Sequence, residues 1–170
     1  CASNENKVLA DFFNEGVYDK RRELILTESP SMDILVSSNL ERLLFEASGR
    51  DENIVKSLMK DLNEKGVYEV NKSIKDFLKD FYGDSASTDE VYKAIRDLYD
   101  KEGYLVDTHT AVGYVVLQKY HRATNDTTPY LIASTASPYK FPRSITKALG
   151  IDVEELDDFE VIKKLNKSCK

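Results

Sequence analysis

Seven glycines punctuate the chain, at Gly16, Gly49, Gly66, Gly83, Gly103, Gly113 and Gly150, and no two stand closer than ten positions. A phosphate-cradling loop needs glycines close together, so that successive backbone N–H groups can approach an anion. This sequence therefore carries no such loop. Six of the seven, all but Gly113, follow a run of apolar residues at helical spacing, where glycine ends a helix by taking the left-handed C′ position. The chain reads as a string of capped amphipathic helices.

The stripes support that reading. Val8, Leu9, Phe12 and Phe13 form one face of a helix closed by Gly16, with Asn4 as its expected N-cap. A second helix is expected from about Asp33 to Ala47, through Ile34, Leu35, Leu40, Leu43 and Leu44. Ile54, Val55, Leu58, Met59 and Leu62 give the cleanest stripe, followed by Gly66. Ile74, Phe77, Leu78 and Phe81 repeat the pattern. Ser87 and Glu90 form a capping box ahead of Val91, Ile95 and Leu98. A more buried helix starts at Asp107 or Thr108, and another carries Pro142 in its first turn. The charged tail ends the chain as a further helix. Strand signals are few: Leu24 to Thr27, the short VYEV, and the apolar YLIAS. The expected class is α/β and helix-rich, seven or eight helices with two or three strands covered by them. No internal repeat and no low-complexity segment are expected. Residues 53–103, three stripes in a row, are expected to form a mainly helical sub-region with its own small core.

Composition narrows the partners. The chain has 170 residues, 41 % hydrophobic and 32 % charged, within the range of one soluble domain. Thirty acidic against 24 basic residues leave a net charge of −6, which argues against nucleic acid or an anionic membrane surface as partner. Two cysteines, at the two ends of the chain, make no framework, and a reducing, cytoplasmic compartment is the expectation. No apolar run approaches a membrane span. The opening CASN reads as a cut just after a buried strand, so a piece of a longer protein is expected.

The chemistry-bearing residues are sparse. His109 and His121 lie twelve positions apart with no further histidine or cysteine to complete a ligand set, so no metal site is expected. His109 opens a helix and reads as a hydrogen-bonded end residue. No GxSxG elbow presents a serine, and Asp157 and Asp158 sit in a charged, solvated run. Two stretches stand apart. SPSMDILVSSNLERLLFE places four serines, Asn39 and Arg42 around a helix start. Hydroxyls, an amide and a guanidinium there suit an anion such as a phosphate, while an ordinary cap with an i,i+4-paired helix accounts for the same residues. LIASTASPYKFPRS breaks from an apolar strand into Ser134, Thr135 and Ser137, then spends two of the chain's four prolines.

Together CASNENKVLADFF, GVYD, SPSMDILVSSNLERLLFE, GYLVDTHTAVGY and STASPYKFP resemble the motifs of the threonine synthase family, in that family's order and spacing. One departure stands in the last motif, usually T-A-H-P-x-K-F, where Ser137 replaces the histidine. The resemblance covers nearly the whole chain but only the C-terminal part of the family's sequence. It implies the C-terminal portion, residues 1–170, of a fold-type-II enzyme using pyridoxal 5'-phosphate, a lyase converting O-phospho-L-homoserine and water to L-threonine and phosphate. It also implies that the Schiff-base lysine and the glycine-rich phosphate loop belong to an N-terminal part outside this sequence. No catalytic residue is then assigned here, and the segment alone is expected to be inactive and not to hold the cofactor stably. Thr135 is the implied contact to the pyridine nitrogen, where this fold type uses a neutral hydroxyl. Ser38, Asn39 and Arg42 are the implied substrate-binding residues. The alternative is a non-catalytic binding module derived from the same fold. A threonine dehydratase fits the hydroxyl strand but not the SPSMDILVSSNLERLL stretch.

Overall fold

A computed structural model of the chain describes residues 1–169. It is helix-rich α/β and divides into two compact units, residues 1–26 with 32–85, and residues 27–31 with 86–169. The first unit contains β1 (Ala2–Ser3), α1 (Val8–Glu15), β2 (Val17–Asp19), α2 (Asn39–Ala47), α3 (Glu52–Lys65), β3 (Val67–Glu69), α4 (Lys72–Leu78) and β4 (Asp84–Ser85). The second contains α5 (Thr88–Glu102), α6 (Thr108–Thr124), α7 (Pro142–Leu149) and α8 (Asp158–Ser168). Short 3-10 turns lie at Pro30–Met32 and Pro138–Lys140. The 53–103 span contributes α3, β3, α4 and β4 to the first unit and α5 to the second.

The first unit is built on a local near-repeat that the sequence reading passed over. Gly16-Val17-Tyr18-Asp19 and Gly66-Val67-Tyr68-Glu69 each follow a helix, α1 and α3, and each glycine ends its helix in the left-handed conformation. The two tripeptides pair antiparallel as β2 and β3, with Tyr18 opposite Tyr68. The Lys20 N–H donates to the Gly66 carbonyl and the Val70 N–H to the Gly16 carbonyl, both at 2.9 Å. The two tyrosine rings stack at 5.3 Å and 13°. Phe12, fully buried, meets both rings edge-on or tilted at 5.9 and 6.1 Å. Leu44, Leu62, Ile74 and Leu78 belong to the same core. The small parallel pair joins β1 to β4, Ala2 against Asp84 and Ser3 against Ser85.

In the second unit Ile95 of α5, Ala111 and Val112 of α6, Ile145 of α7 and Val161 and Leu165 of α8 are all fully buried. The expected start signals hold: the Ser87–Glu90 capping box, the Asp107 cap, and Pro142 at the start of α7. Asp157 caps α8, in a second capping box with Glu160.

Five local expectations are corrected. Asn4 does not cap α1. It is buried, and its side-chain oxygen accepts the Asn6 N–H at 2.9 Å. Leu24 to Thr27 form no strand, because a side chain takes the place of a ladder: the Asn6 amide accepts the Ile25 N–H at 2.9 Å and donates to the Ile25 carbonyl at 2.7 Å. The helix expected from Asp33 begins only at Asn39, since the preceding backbone bonds to Tyr18 instead. YLIAS is not a buried strand; the segment has no strand assignment, Leu131 is fully exposed and Tyr130 half exposed. Gly83 is no helix cap. A Cβ there would lie 2.9 Å from the Ala10 carbonyl oxygen, so close backbone approach requires the glycine.

Candidate functional site

The candidate residues lie on two segments, one in each unit. In the first unit, residues 33–38 form an irregular stretch that runs into α2. Asp33 anchors its start. Asp33 Oδ1 accepts Asn4 Nδ2 at 2.7 Å and Asn6 Nδ2 at 3.1 Å, and both asparagines are buried. Tyr18 anchors its end. The Tyr18 hydroxyl accepts the Ser37 N–H at 2.9 Å and donates to the Leu35 carbonyl at 3.1 Å. Burial raises the Tyr18 phenol above its ordinary range, outweighing the Ser37 N–H and the nearby Arg22 charge that pull it down. The hydroxyl is therefore protonated, and a donor, at neutral pH.

Ser38, Asn39 and Arg42 follow directly, all exposed. Ser38 occupies the N-cap position of α2 but has helical backbone angles and makes no capping bond with its hydroxyl. Arg42 Nη2 donates to Asn39 Oδ1 at 2.6 Å, so the amide orients the guanidinium and leaves its remaining N–H groups facing outward. The structure thus joins Asn39 and Arg42 by side chain and places Ser38 beside them in the chain. Thr135 belongs to the other unit.

That second segment is governed by the start of α6. Buried Asp107 accepts the N–H groups of His109 at 2.9 Å and Thr110 at 3.1 Å, and a short hydrogen bond joins it to the Thr110 hydroxyl. Thr110 Oγ1 also meets Ser134 Oγ at 3.0 Å. The Tyr130 ring lies 5.2 Å from that of His121 on α6, and a further anchor of this segment is Ile132. A Cβ on Gly113 would come 3.3 Å from its Cγ2, so the glycine lets Ile132 lie against α6. Ser134 is thus tied to α6, while its neighbour Thr135 is exposed. Upstream, the Tyr120 hydroxyl and the Thr128 N–H both donate to Asp126, at 2.6 and 2.8 Å, and bonds from these two residues lower the pKa of its carboxyl to about 2.

His109, at the start of α6, is a hydrogen-bonded helix-end residue, as expected. Its Nε2 accepts the Ser31 N–H at 3.2 Å, which places the proton on Nδ1, beside Thr108 Oγ1 at 3.3 Å. Its ring lies 5.2 Å from Phe141. Ser31 belongs to a five-residue excursion, 27–31, into the second unit, where Glu28 also accepts the Ser144 hydroxyl at 2.6 Å. Ser137 caps the turn at Pro138, its hydroxyl accepting the Tyr139 N–H at 3.3 Å.

The sequence reading missed Tyr18, Asn6, Asp33 and Thr110. Tyr18 alone had a signal, the twin Gly-Val-Tyr-acid tetrapeptides.

Residues 110–170 match the family model for the threonine synthase C-terminal region. Human threonine synthase-like 1 is 42 % identical over 153 residues, 89 % of this chain and 20 % of the human one. Threonine synthase of Saccharomyces cerevisiae is 36 % identical over 164 residues, 88 % of this chain and 32 % of the yeast one. The crystal structure of PLP-bound threonine synthase from Brucella melitensis superposes with a TM-score of 0.80 at 30 % identity, over 99 % of this chain and 40 % of that one. The chain therefore spans between a fifth and two-fifths of the length of these relatives, and within that span both sequence and fold agree. No helix is long and apolar enough to cross a membrane among the described residues. Sequence, fold and the order of its motifs match this chain to the C-terminal part of threonine synthases.

Proposed function

We propose that the chain works as the C-terminal part of a pyridoxal-phosphate-dependent threonine synthase, a lyase that turns O-phospho-L-homoserine and water into L-threonine and phosphate. The observation that carries this reading is the apolar segment ending at Thr135. Its Leu131 is fully exposed and it has no ladder partner among the described residues. An apolar side chain exposed in this way calls for a partner surface. The likeness to a PLP-bound enzyme over 99 % of this chain supports the same reading.

The residues present fit one side of the cofactor. Ser134 is engaged by Thr110, so Thr135 is the hydroxyl left to face a ring nitrogen. A neutral hydroxyl donates a hydrogen bond there without transferring a full proton, which limits how strongly the ring withdraws electrons. When bound, pyridoxal phosphate supplies the electron sink for carbanion chemistry at the substrate. The anion side falls to the α2 segment. Arg42, steered by Asn39, offers paired N–H donors to a phosphate or carboxylate, and the unused Ser38 hydroxyl adds a further donor. The phosphate of the cofactor and its lysine attachment fall outside this set of residues. The segment alone is accordingly proposed to be inactive and not to hold the cofactor stably.

A second reading, a binding module without catalysis, is kept by one observation: the human relative at 42 % identity carries the name threonine synthase-like 1. The experiment is a product assay on the full-length protein carrying this segment, supplied with pyridoxal phosphate and O-phospho-L-homoserine. The lyase reading expects phosphate and threonine in equal amounts. In Thr135→Val the cofactor should be held more weakly, by about 0.5–1.5 kcal/mol. Cofactor-loaded protein that releases neither product supports the binding module instead.

A further inference from the structure

We infer that Tyr18 is a positioning residue for the anion-binding side of the site: its hydroxyl fixes residues 35–37 so that Ser38, Asn39 and Arg42 meet the substrate in one arrangement. The inference rests on the reading of the α2 segment proposed above. It starts from an asymmetry. Tyr18 and Tyr68 are stacked, opposite each other on paired strands and almost fully buried. Of the two, only the Tyr18 hydroxyl bonds to backbone among the described residues: it takes both the Ser37 N–H and the Leu35 carbonyl.

Those two backbone groups lie outside any helix or strand, so the phenol supplies the regular partners they lack. The first turn of α2 is also loosely closed. The Leu40 N–H reaches the Ser37 carbonyl at 3.4 Å and the Glu41 N–H reaches the Ser38 carbonyl at 3.3 Å. With the Ser38 side chain contributing no cap, the entry to α2 depends on where Ser37 is held. Tyr18 holds it from a buried ring packed against Tyr68 and Phe12. Asp33, gripped by Asn4 and Asn6, fixes the other end of the same stretch. Together the two clamps immobilise the stretch before any ligand arrives. Part of the ordering cost of binding an anion is thereby removed.

The test has two parts. In the 170-residue chain, the Ser37 amide should be protected from hydrogen exchange, although it lies outside regular structure. Tyr18→Phe should speed its exchange about tenfold or more, as expected for loss of a hydrogen bond to a buried partner. The β2–β3 amides should stay protected. Tyr68→Phe, the same chemical change across the strand pair, should leave Ser37 protected. A Ser37 amide that exchanges as fast in wild type as in Tyr18→Phe overturns the clamp. In the full-length protein, Tyr18→Phe should raise KM for O-phospho-L-homoserine several-fold with a smaller change in kcat, and Tyr68→Phe should not. An active wild type whose KM is unmoved by Tyr18→Phe overturns the positioning role alone. An inactive wild type overturns the lyase reading and the positioning role with it.

Discussion

The tetrapeptides at 16–19 and 66–69 show how one local design takes two duties. Each follows a helix, uses a left-handed glycine to turn, and buries a tyrosine against its counterpart. Up to the rings they are nearly interchangeable. They part at the hydroxyls. Tyr18 is bonded to residues 35 and 37 and so acts on the segment leading to α2. The Tyr68 phenol is pushed up strongly by burial, then by the neighbouring Tyr18 and Glu41. The lesson is that ring packing sets the stability of this unit, while a single oxygen on one ring links it to the candidate site.

The comparison breaks most severely at the residue both halves share. Phe12→Ala removes the ring that meets both tyrosines and should cost about 3–5 kcal/mol, read as the urea midpoint of the first unit. A cost under about 1 kcal/mol would mean that the two halves do not share a core. The tyrosines themselves sharpen it. Tyr18→Phe leaves the Ser37 N–H and the Leu35 carbonyl without their partner and should cost about 1–3 kcal/mol. Tyr68→Phe should cost less, and the difference is measurable by paired denaturation curves.

The two turns should instead behave alike. Gly16 and Gly66 have φ of +74° and +76°, so alanine at either should lose about 1–2 kcal/mol. Unequal losses would show that the turns are not equivalent. Alkaline titration gives the smallest effect. Both phenols have folded values raised above the ordinary 10, so the neutral form is favoured by the fold. Their contribution is complete below pH 10 and declines as pH rises beyond it, because the unfolded chain loses those protons first. Each phenol gives a slope of at most about 1.4 kcal/mol per pH unit. Between pH 10 and 11, Tyr68→Phe should flatten the decline, measured by urea titration at each pH.

The same contrast explains what could be read from the residues alone. α3, α5, α6 and α7 were legible because their stripes, caps and end glycines are local chemistry, decided within a few residues. Three stretches were not, and each is decided by a distant partner. Leu24 to Thr27 look like a strand, but the Asn6 amide occupies the backbone that a neighbour strand would use. Asp33 to Ser38 look helical, yet Asn4, Asn6 and Tyr18 hold that stretch in an irregular path. Tyr130 to Ser134 have the composition of a buried strand, but Tyr130, Ile132 and Ser134 find anchors on α6 instead, at His121, Gly113 and Thr110. The two candidate stretches stood apart by composition, and only the resemblance implied roles for their residues. Ser38, Asn39, Arg42 and Thr135 are exposed, and exposure of small polar residues leaves no periodic trace.

The most direct test of the account is the steady-state kinetics of Arg42→Ala in the full-length protein with O-phospho-L-homoserine. Arg42 donates to Asn39 and otherwise faces outward, so its loss should leave the core of the first unit intact. A hydrogen bond to a charged group contributes about 1.5–3 kcal/mol, which corresponds to a fall in kcat/KM of about tenfold or more. The account predicts that fall, carried mainly by KM. An Arg42→Ala protein with wild-type KM and wild-type turnover would contradict it.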